Sequence, residues 1–311
     1  MSSNSWIQPN SYFDLQVNGY LGVDFNADEL VAADVARVCE KLQEDGVGGI
    51  LATVITDDAD RMSRRLENIC RVREFAPIIE STICGIHIEG PFINSAAGYV
   101  GAHPKGFVRP ADRDVMSRLL DSAGGLTRVV TLAPECDEGG KLTQILADQK
   151  IIVSAGHCDS DLETLRASVD AGLSMFTHLG NGCPLRLPRH DNIIQRVLSM
   201  SEHLAIGFIA DGIHIPYAAL SNYLQVAGFE KSFVVTDAIS AAGHGPGKFS
   251  LGSQTVVVDE DLATWSEDHQ HLVGSALTMP SVADNLRREL SLSELQIAQL
   301  TKINPRNALG V

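Results

Sequence analysis

The feature that most narrows the fold is an alternation. Eight short β-branched or apolar runs recur along the chain: "YFDLQV" (12–17), "GGILATV" (48–54), "TICGIHI" (82–88), "RVVTLA" (128–133), "KIIVSAG" (150–156), "LSMFTHL" (173–179), "LAIGFIA" (204–210) and "SFVVTD" (232–237). Between them lie stretches of helical period, among them "ADVARVCEKLQEDG", "DRMSRRLENICRVREF", "LTQILADQ" and "SDLETLRASVDAG". Strands that alternate with helices predict parallel βαβ units. Eight such units in series, with no Pro/Ser-rich linker, predict a closed (β/α)8 TIM barrel. An open doubly wound sheet is the rival, but the Gly-rich turn it usually carries after strand one is missing. Gly46 and Gly172 follow the helices before strands two and six, where a helix C-terminus favours glycine. "KFSLGSQTVVVD" (248–259) reads as a hairpin inserted after strand eight, and "LSELQIAQLTKI" (292–303) as the closing helix. Residues 1–311 are therefore expected to form a single barrel domain with almost nothing attached at either end.

Charge and composition remove several function classes. Lys and Arg number 24 against 39 Asp and Glu, a formal net charge of −15. A chain this acidic is not expected to bind nucleic acid or an anionic membrane through bulk electrostatics. The opening "MSSNSWIQPN" has neither the basic region nor the apolar core of a signal peptide. No apolar run approaches the roughly 20 residues needed to span a bilayer. Six scattered cysteines without a CxxC pair point to reduced thiols and a cytoplasmic protein. Cys158 and Cys183 lie close to candidate functional residues and are read as small apolar neighbours.

In barrels of this kind the chemistry sits at the C-terminal ends of the strands. Strand one ends in Gln16 and Asn18, two apart and so on one side of the chain. Strand three ends in "HIEGP" with His87 and Glu89, and strand four in "APE" with Glu135. Strand five gives His157, and strand six gives His178 and Asn181. Strand seven is followed by Asp211 and His214, and strand eight ends in Asp237. Two imidazoles and one carboxylate make a recurring catalytic zinc site. His157 and His178 are the natural imidazole pair, whereas spacing alone leaves Glu89 and Glu135 both open as the carboxylate. Glu135, after a proline, can equally cap the next helix. His190, His203, His269 and His271 match no strand end and are read as surface residues.

"GIHIEGPF", "GAHP", "SAGH", "THLGNGCP", "IADGIH", "VTDA" and "LVGSALTM" occur in that order. Together they resemble the N-acetylglucosamine-6-phosphate deacetylase family of the amidohydrolase superfamily, over nearly the whole chain. The resemblance implies a single divalent metal ion, zinc being expected, held by Glu89, His157 and His178. It implies Asp237 as the acid/base group. Substrate contacts would fall on Ala102, His103, Asn181, Gly182, Arg189, His214 and the Leu272-Val273-Gly274 segment. Many amidohydrolases hold a second metal with His-x-His at the end of strand one. Gln16 and Asn18 stand at that vacated position, and an amide is a weak ligand for zinc.

The implied reaction is hydrolysis of the acetamido group of N-acetylglucosamine 6-phosphate, releasing acetate and glucosamine 6-phosphate in amino-sugar catabolism. The metal would activate water, Asp237 would move the proton, and His103 would steady the developing oxyanion. Arg189 and His214 would meet the phosphate. A homodimer is implied, because phosphate-binding groups in this family come partly from a neighbouring subunit. The family usually carries a small β-sandwich outside the barrel, and no segment for it is evident. An N-acetylgalactosamine-6-phosphate deacetylase and a non-catalytic sugar-phosphate-binding relative remain alternatives. A cyclic amidase or D-aminoacylase is disfavoured, because the HxEGP and GAH motifs belong to the sugar-phosphate branch.

Overall fold

In the computed structural model, which describes residues 10–311, eight strands lie side by side in chain order. They are β1 (Tyr12–Val17), β2 (Val47–Ile55), β3 (Ile83–Glu89), β4 (Thr127–Leu132), β5 (Ile152–Ala155), β6 (Leu173–Phe176), β7 (Ala205–Ile209) and β8 (Ser232–Val235). Every neighbouring pair from β1 to β8 is parallel. The expected barrel is present. The opening segment "MSSNSWIQP", read above for a targeting signal, lies outside the described residues.

Helices return the chain from each strand to the next, as parallel pairing requires. They include α1 (Ala32–Glu44), α2 (Ala59–Arg73), α3 (Arg113–Ser122), α4 (Lys141–Asp148) and α5 (Leu162–Asp170). Asp58, Asp112 and Asp161 cap α2, α3 and α5 by accepting amide hydrogen bonds from their first turns. Gly46 and Gly172 take φ of +78° and +114°, as the positions after α1 and α5 suggested. β2 is buried along all nine residues, because helices cover one face and the lumen the other. Phe13, Leu15, Leu51, Cys84, Val129, Met175, Ile209, Phe233 and Val235 form the lumen cluster beneath the mouth. Gly49 is required there: a Cβ would lie 2.5 Å from Phe13 and 2.6 Å from Cys84.

Five strands stop short of their apolar runs. β4, β5, β6, β7 and β8 end at Leu132, Ala155, Phe176, Ile209 and Val235. His157, His178 and Asp237 then take φ of +51°, +33° and +51°, which a strand cannot hold. The inserted hairpin is a three-stranded antiparallel sheet of Gly247–Leu251, Gln254–Val258 and Thr264–Ser266. Its third strand, "TWS", is too short to carry a period. Leu251, Val256 and Val258 pack with Ile55, Ile239 and Val273, fixing the insert beside the mouth. The closing segment is helical over Glu294–Ala298, Gln299–Ile303 and Asn304–Ala308. Among the described residues, the β-structure outside the barrel is this insert and the hairpin Gly19–Tyr20/Val23–Asp24.

The barrel closes through a side chain. β1 and β8 share no continuous ladder, only an isolated bridge between Val17, the last residue of β1, and Ala238, just past β8. Buried Asp14 fills the seam: its carboxylate accepts Thr236 Oγ1 at 2.6 Å, Thr236 N at 3.2 Å and Gln16 N at 3.2 Å. Asn18 N and Gly19 N both donate to the Ala238 carbonyl, at 2.7 and 3.1 Å. Removing the carboxylate orphans buried donors at about 1–3 kcal/mol each. Asp14→Ala is therefore expected to lower unfolding stability by about 3 kcal/mol in urea titrations. A loss below about 1 kcal/mol would show that the seam does not depend on it.

Candidate active site

Glu89, the last residue of β3, is the centre on which the mouth converges. His178 Nε2 lies 3.0 Å and His157 Nε2 3.2 Å from Glu89 Oε1. All three side chains are buried, and their ligand atoms lie within 4.8 Å of one another. The two imidazoles stand nearly perpendicular, 5.0 Å apart. Gln16 Nε2 reaches both Glu89 oxygens at 3.2 Å. A β-bulge re-aims it: three residue steps of β1, Asp14 to Val17, pass against two of β2.

The hydrogen bonds around His157 test whether these residues suit a cation. His157 Nδ1 is 2.8 Å from the Tyr99 carbonyl, which only accepts, so Nδ1 carries a proton. A neutral His157 then turns a bare Nε2 toward a carboxylate oxygen 3.2 Å away. Two lone pairs so placed repel, and only positive charge relieves them: a second ring proton or a metal ion. Two nitrogens and a carboxylate are the donor set of catalytic zinc sites, and the carbonyl behind His157 is the usual outer partner of such a ligand. The residues fit a divalent ion. Burial pushes the Glu89 carboxyl up, but hydrogen bonds from His157 and His178 outweigh it and hold the group well below the usual carboxylate range. Burial likewise disfavours charge on His178, yet the bond to Glu89 raises its pKa.

Asp237 stands at the far side of the mouth. Asn18 Nδ2 donates to its Oδ1 at 2.7 Å, and among the described residues no side chain hydrogen-bonds Oδ2. Burial first, and then the charge of Glu89, raise its pKa to about 6, against the opposing pull of His178, His214 and Asn18. Left-handed backbone at His157, His178 and Asp237 costs about 1–3 kcal/mol each and concentrates at functional sites.

The remaining candidates divide into groups. His103 Nε2 lies 3.9 Å from Glu89 Oε2, and its ring centroid is 4.4 Å from that of His157. Ala102 offers its carbonyl to Gln254 of the insert at 2.6 Å. Asn181 donates to the His178 carbonyl from its backbone N at 3.0 Å and from Nδ2 at 3.3 Å. Val273 packs in the insert cluster beside Ile239, and Leu272 pairs with Trp265. At Gly274 a Cβ would come within 2.9 Å of the Asp237 carbonyl. His214 is held by Asp211 at 2.5 Å. Arg189 is exposed on the loop after His178, and among the described residues no hydrogen bond or ion pair ties it to the others.

Glu135 stands apart from the ligands. It accepts the Asp159 amide at 2.6 Å, the Asn94 side-chain amide at 2.8 Å and the Ser160 hydroxyl, so it braces the loop behind His157. Nor does it cap the next helix: Asp137 binds the amides of Leu142 and Thr143 there. His190, His203, His269 and His271 are exposed, as read. Thr56, just after β2, was missed. Its amide and hydroxyl both face His103 Nδ1.

No protein-family model matches the chain. It is 33% identical to the N-acetylglucosamine-6-phosphate deacetylase of Bacillus subtilis, over 96% of this chain and 74% of that protein. The chain belongs to the N-acetylglucosamine-6-phosphate deacetylase family. It is 32% identical to the N-acetylgalactosamine-6-phosphate deacetylase of a Shewanella strain, over 94% of this chain and 72% of that protein. A mutant deacetylase of the family from Mycobacterium smegmatis, solved with N-acetyl-D-glucosamine-6-phosphate, superposes with a TM-score of 0.87 and 25% identity. That match covers 97% of this chain and 77% of that one. The Thermotoga maritima deacetylase gives 0.83 and 27%, covering 97% and 78%.

Two glycines make room for the His157 ring. Gly101 (φ +54°) and Gly182 (φ +60°) lie against its ring, and a Cβ on Gly182 would fall 2.8 Å from Nδ1. Gly182→Ala must push the ring away, and is expected to weaken zinc affinity about tenfold or more in a competition titration with a chromophoric chelator. Parent-like affinity would show that the ring has room to move.

Proposed function

We propose that this chain hydrolyses the acetamido group of N-acetylglucosamine 6-phosphate to glucosamine 6-phosphate and acetate. The observation that carries the reading is the pairing of two carboxylates in one mouth. Glu89 is drawn to two imidazoles, and Asp237, 237 residues along the chain, is clamped by an amide with one oxygen left over.

Glu89, His157 and His178 would hold one divalent ion, with zinc the choice that this donor set favours. When bound, such an ion supplies Lewis-acid polarisation to a carbonyl and to water. Asp237 Oδ2 accepts the proton of the attacking water and delivers it to the departing nitrogen, since an amine leaves only after protonation. His103 donates from Nε2 toward the acetyl oxygen. Ala102, Asn181, Gly182 and the Leu272-Val273-Gly274 segment line the sugar. His214, oriented by Asp211, and Arg189 meet the phosphate, the guanidinium through its paired donors.

Arg189 shares its exposed loop with Leu185, which is fully exposed. Those side chains suit a surface that a second copy completes, and we read the working form as a homodimer of single catalytic barrels. No described helix is long and apolar enough to cross a membrane. The six cysteines are free thiols, which suits a reducing cytoplasm. The Shewanella relative keeps the galacto epimer in view as substrate.

Acetate release from the 6-phosphates of N-acetylglucosamine and N-acetylgalactosamine, and from unphosphorylated N-acetylglucosamine, tests the reading. The gluco phosphate is expected to be turned over fastest and the free sugar least. No release from any of them by zinc-loaded protein would overturn it. Asp237→Asn is expected to lower turnover by about 10²–10⁴-fold with zinc content unchanged. The base must be ionised, so activity should fall as pH drops through about 6. A rate flat from about pH 5 to about pH 8 would remove Asp237 from that role.

A further inference from the structure

β2 contributes no ligand and no acid/base group, yet its C-terminal end touches the site at one residue. Thr56 is fully buried and follows Ile55, the last residue of the strand. Its backbone N lies 3.3 Å and its Oγ1 2.8 Å from His103 Nδ1.

We propose that Thr56 is a positioning residue that fixes the tautomer of His103, with Nδ1 bare and Nε2–H aimed at the reacting acetyl oxygen. An amide N–H can only donate, so the nitrogen it faces must accept. Nδ1 therefore has no proton, and a neutral ring carries its hydrogen on Nε2, the nitrogen that faces Glu89 Oε2 at 3.9 Å. The same amide excludes the imidazolium, whose Nδ1–H would meet it donor to donor. The Thr56 hydroxyl has a second acceptor in reach, the Glu89 carbonyl at 3.4 Å, but the imidazole nitrogen is closer. Gly90 makes the arrangement possible, for a Cβ there would lie 2.0 Å from Thr56 Oγ1. The backbone of His103 is pinned separately, its N donating to the Val100 carbonyl at 3.1 Å. Thr56 thus sets which nitrogen carries the proton, and the loop sets where the ring sits.

The inference rests on the deacetylase reading for the use of Nε2–H, but not for its existence. The test uses the zinc-loaded full chain with ¹⁵N-labelled histidine side chains, His103 being assigned by its loss in His103→Gln. At neutral pH the two-bond ¹H–¹⁵N spectrum is expected to show Nδ1 unprotonated and Nε2 protonated. The opposite tautomer in the parent would overturn the proposal whatever the activity. Thr56→Val removes the closer hydroxyl partner and leaves the amide at 3.3 Å, too long a contact to hold the tautomer by itself, so both nitrogens should move toward averaged shifts. It should also lower kcat for acetate release about tenfold, part of what a lost oxyanion donor costs, with KM within about twofold of the parent. Thr56→Ser should restore the shifts and kcat. Unmoved shifts in Thr56→Val would also overturn the proposal. If no N-acetyl sugar phosphate is turned over, the deacetylase reading fails while the tautomer result still stands.

Discussion

The mouth of this barrel is organised by a repulsion that the chain must neutralise. Glu89 Oε1 faces two imidazole nitrogens at 3.0 and 3.2 Å, and the Tyr99 carbonyl fixes the proton of His157 on the other side of its ring. Without positive charge between them, a lone pair would look at a carboxylate while both side chains are buried. Burying unpaired negative charge costs several kcal/mol. Nearby features are explained by the need to hold that geometry against the cost. Glycines lie flat against His157, Glu135 ties Asn94 to Asp159 and Ser160 around the same loop, and Gln16 steadies Glu89 from the neighbouring strand.

Backbone strain belongs to the same account. His157, His178 and Asp237 each leave their strands through left-handed backbone, a conformation that residues with a Cβ avoid. The turn swings each side chain off the strand's line and over the mouth. The barrel below, packed with Phe13, Leu51, Met175 and Phe233, is stiff enough to support this. Asp14 does related work at the seam, where a carboxylate takes the place of missing ladder hydrogen bonds. The opening and closing strands are thereby held together, so Asn18 and Asp237 can meet although 219 residues separate them.

The period of the apolar runs made the eight strands legible, and the residue types following them pointed to most of the residues that meet in the candidate site. The strand ends were not, because nothing in "VSAGH", "MFTHL" or "VVTD" marks where φ changes sign, and the apolar character runs on past the turn. Glu135 looked like a ligand or a cap because sequence gives a carboxylate's strand, not its neighbours. Its partners come from two other loops. Thr56 was invisible for a related reason. A threonine after "LATVI" extends a β-branched run, and its distinction is an imidazole 47 residues away. Gln254 is similar, a polar residue in a hairpin that happens to reach the Ala102 carbonyl.

The amides at the end of β1 take their meaning from the charges around them. Glu89 and Asp237 are carboxylates in one partly desolvated space, and the charge of Glu89 already pushes the Asp237 carboxyl up. A histidine at position 16 or 18 would add a titratable cation beside one of them and pull its pKa down. An amide donates a hydrogen bond and brings no charge of either sign. Gln16 orients Glu89 and Asn18 orients Asp237, so both carboxylates are fixed in direction while Asp237 keeps a pKa near 6. A proton carrier that must both take and return a proton near neutral pH needs a pKa of that order. Neutral side chains at the vacated corner preserve it.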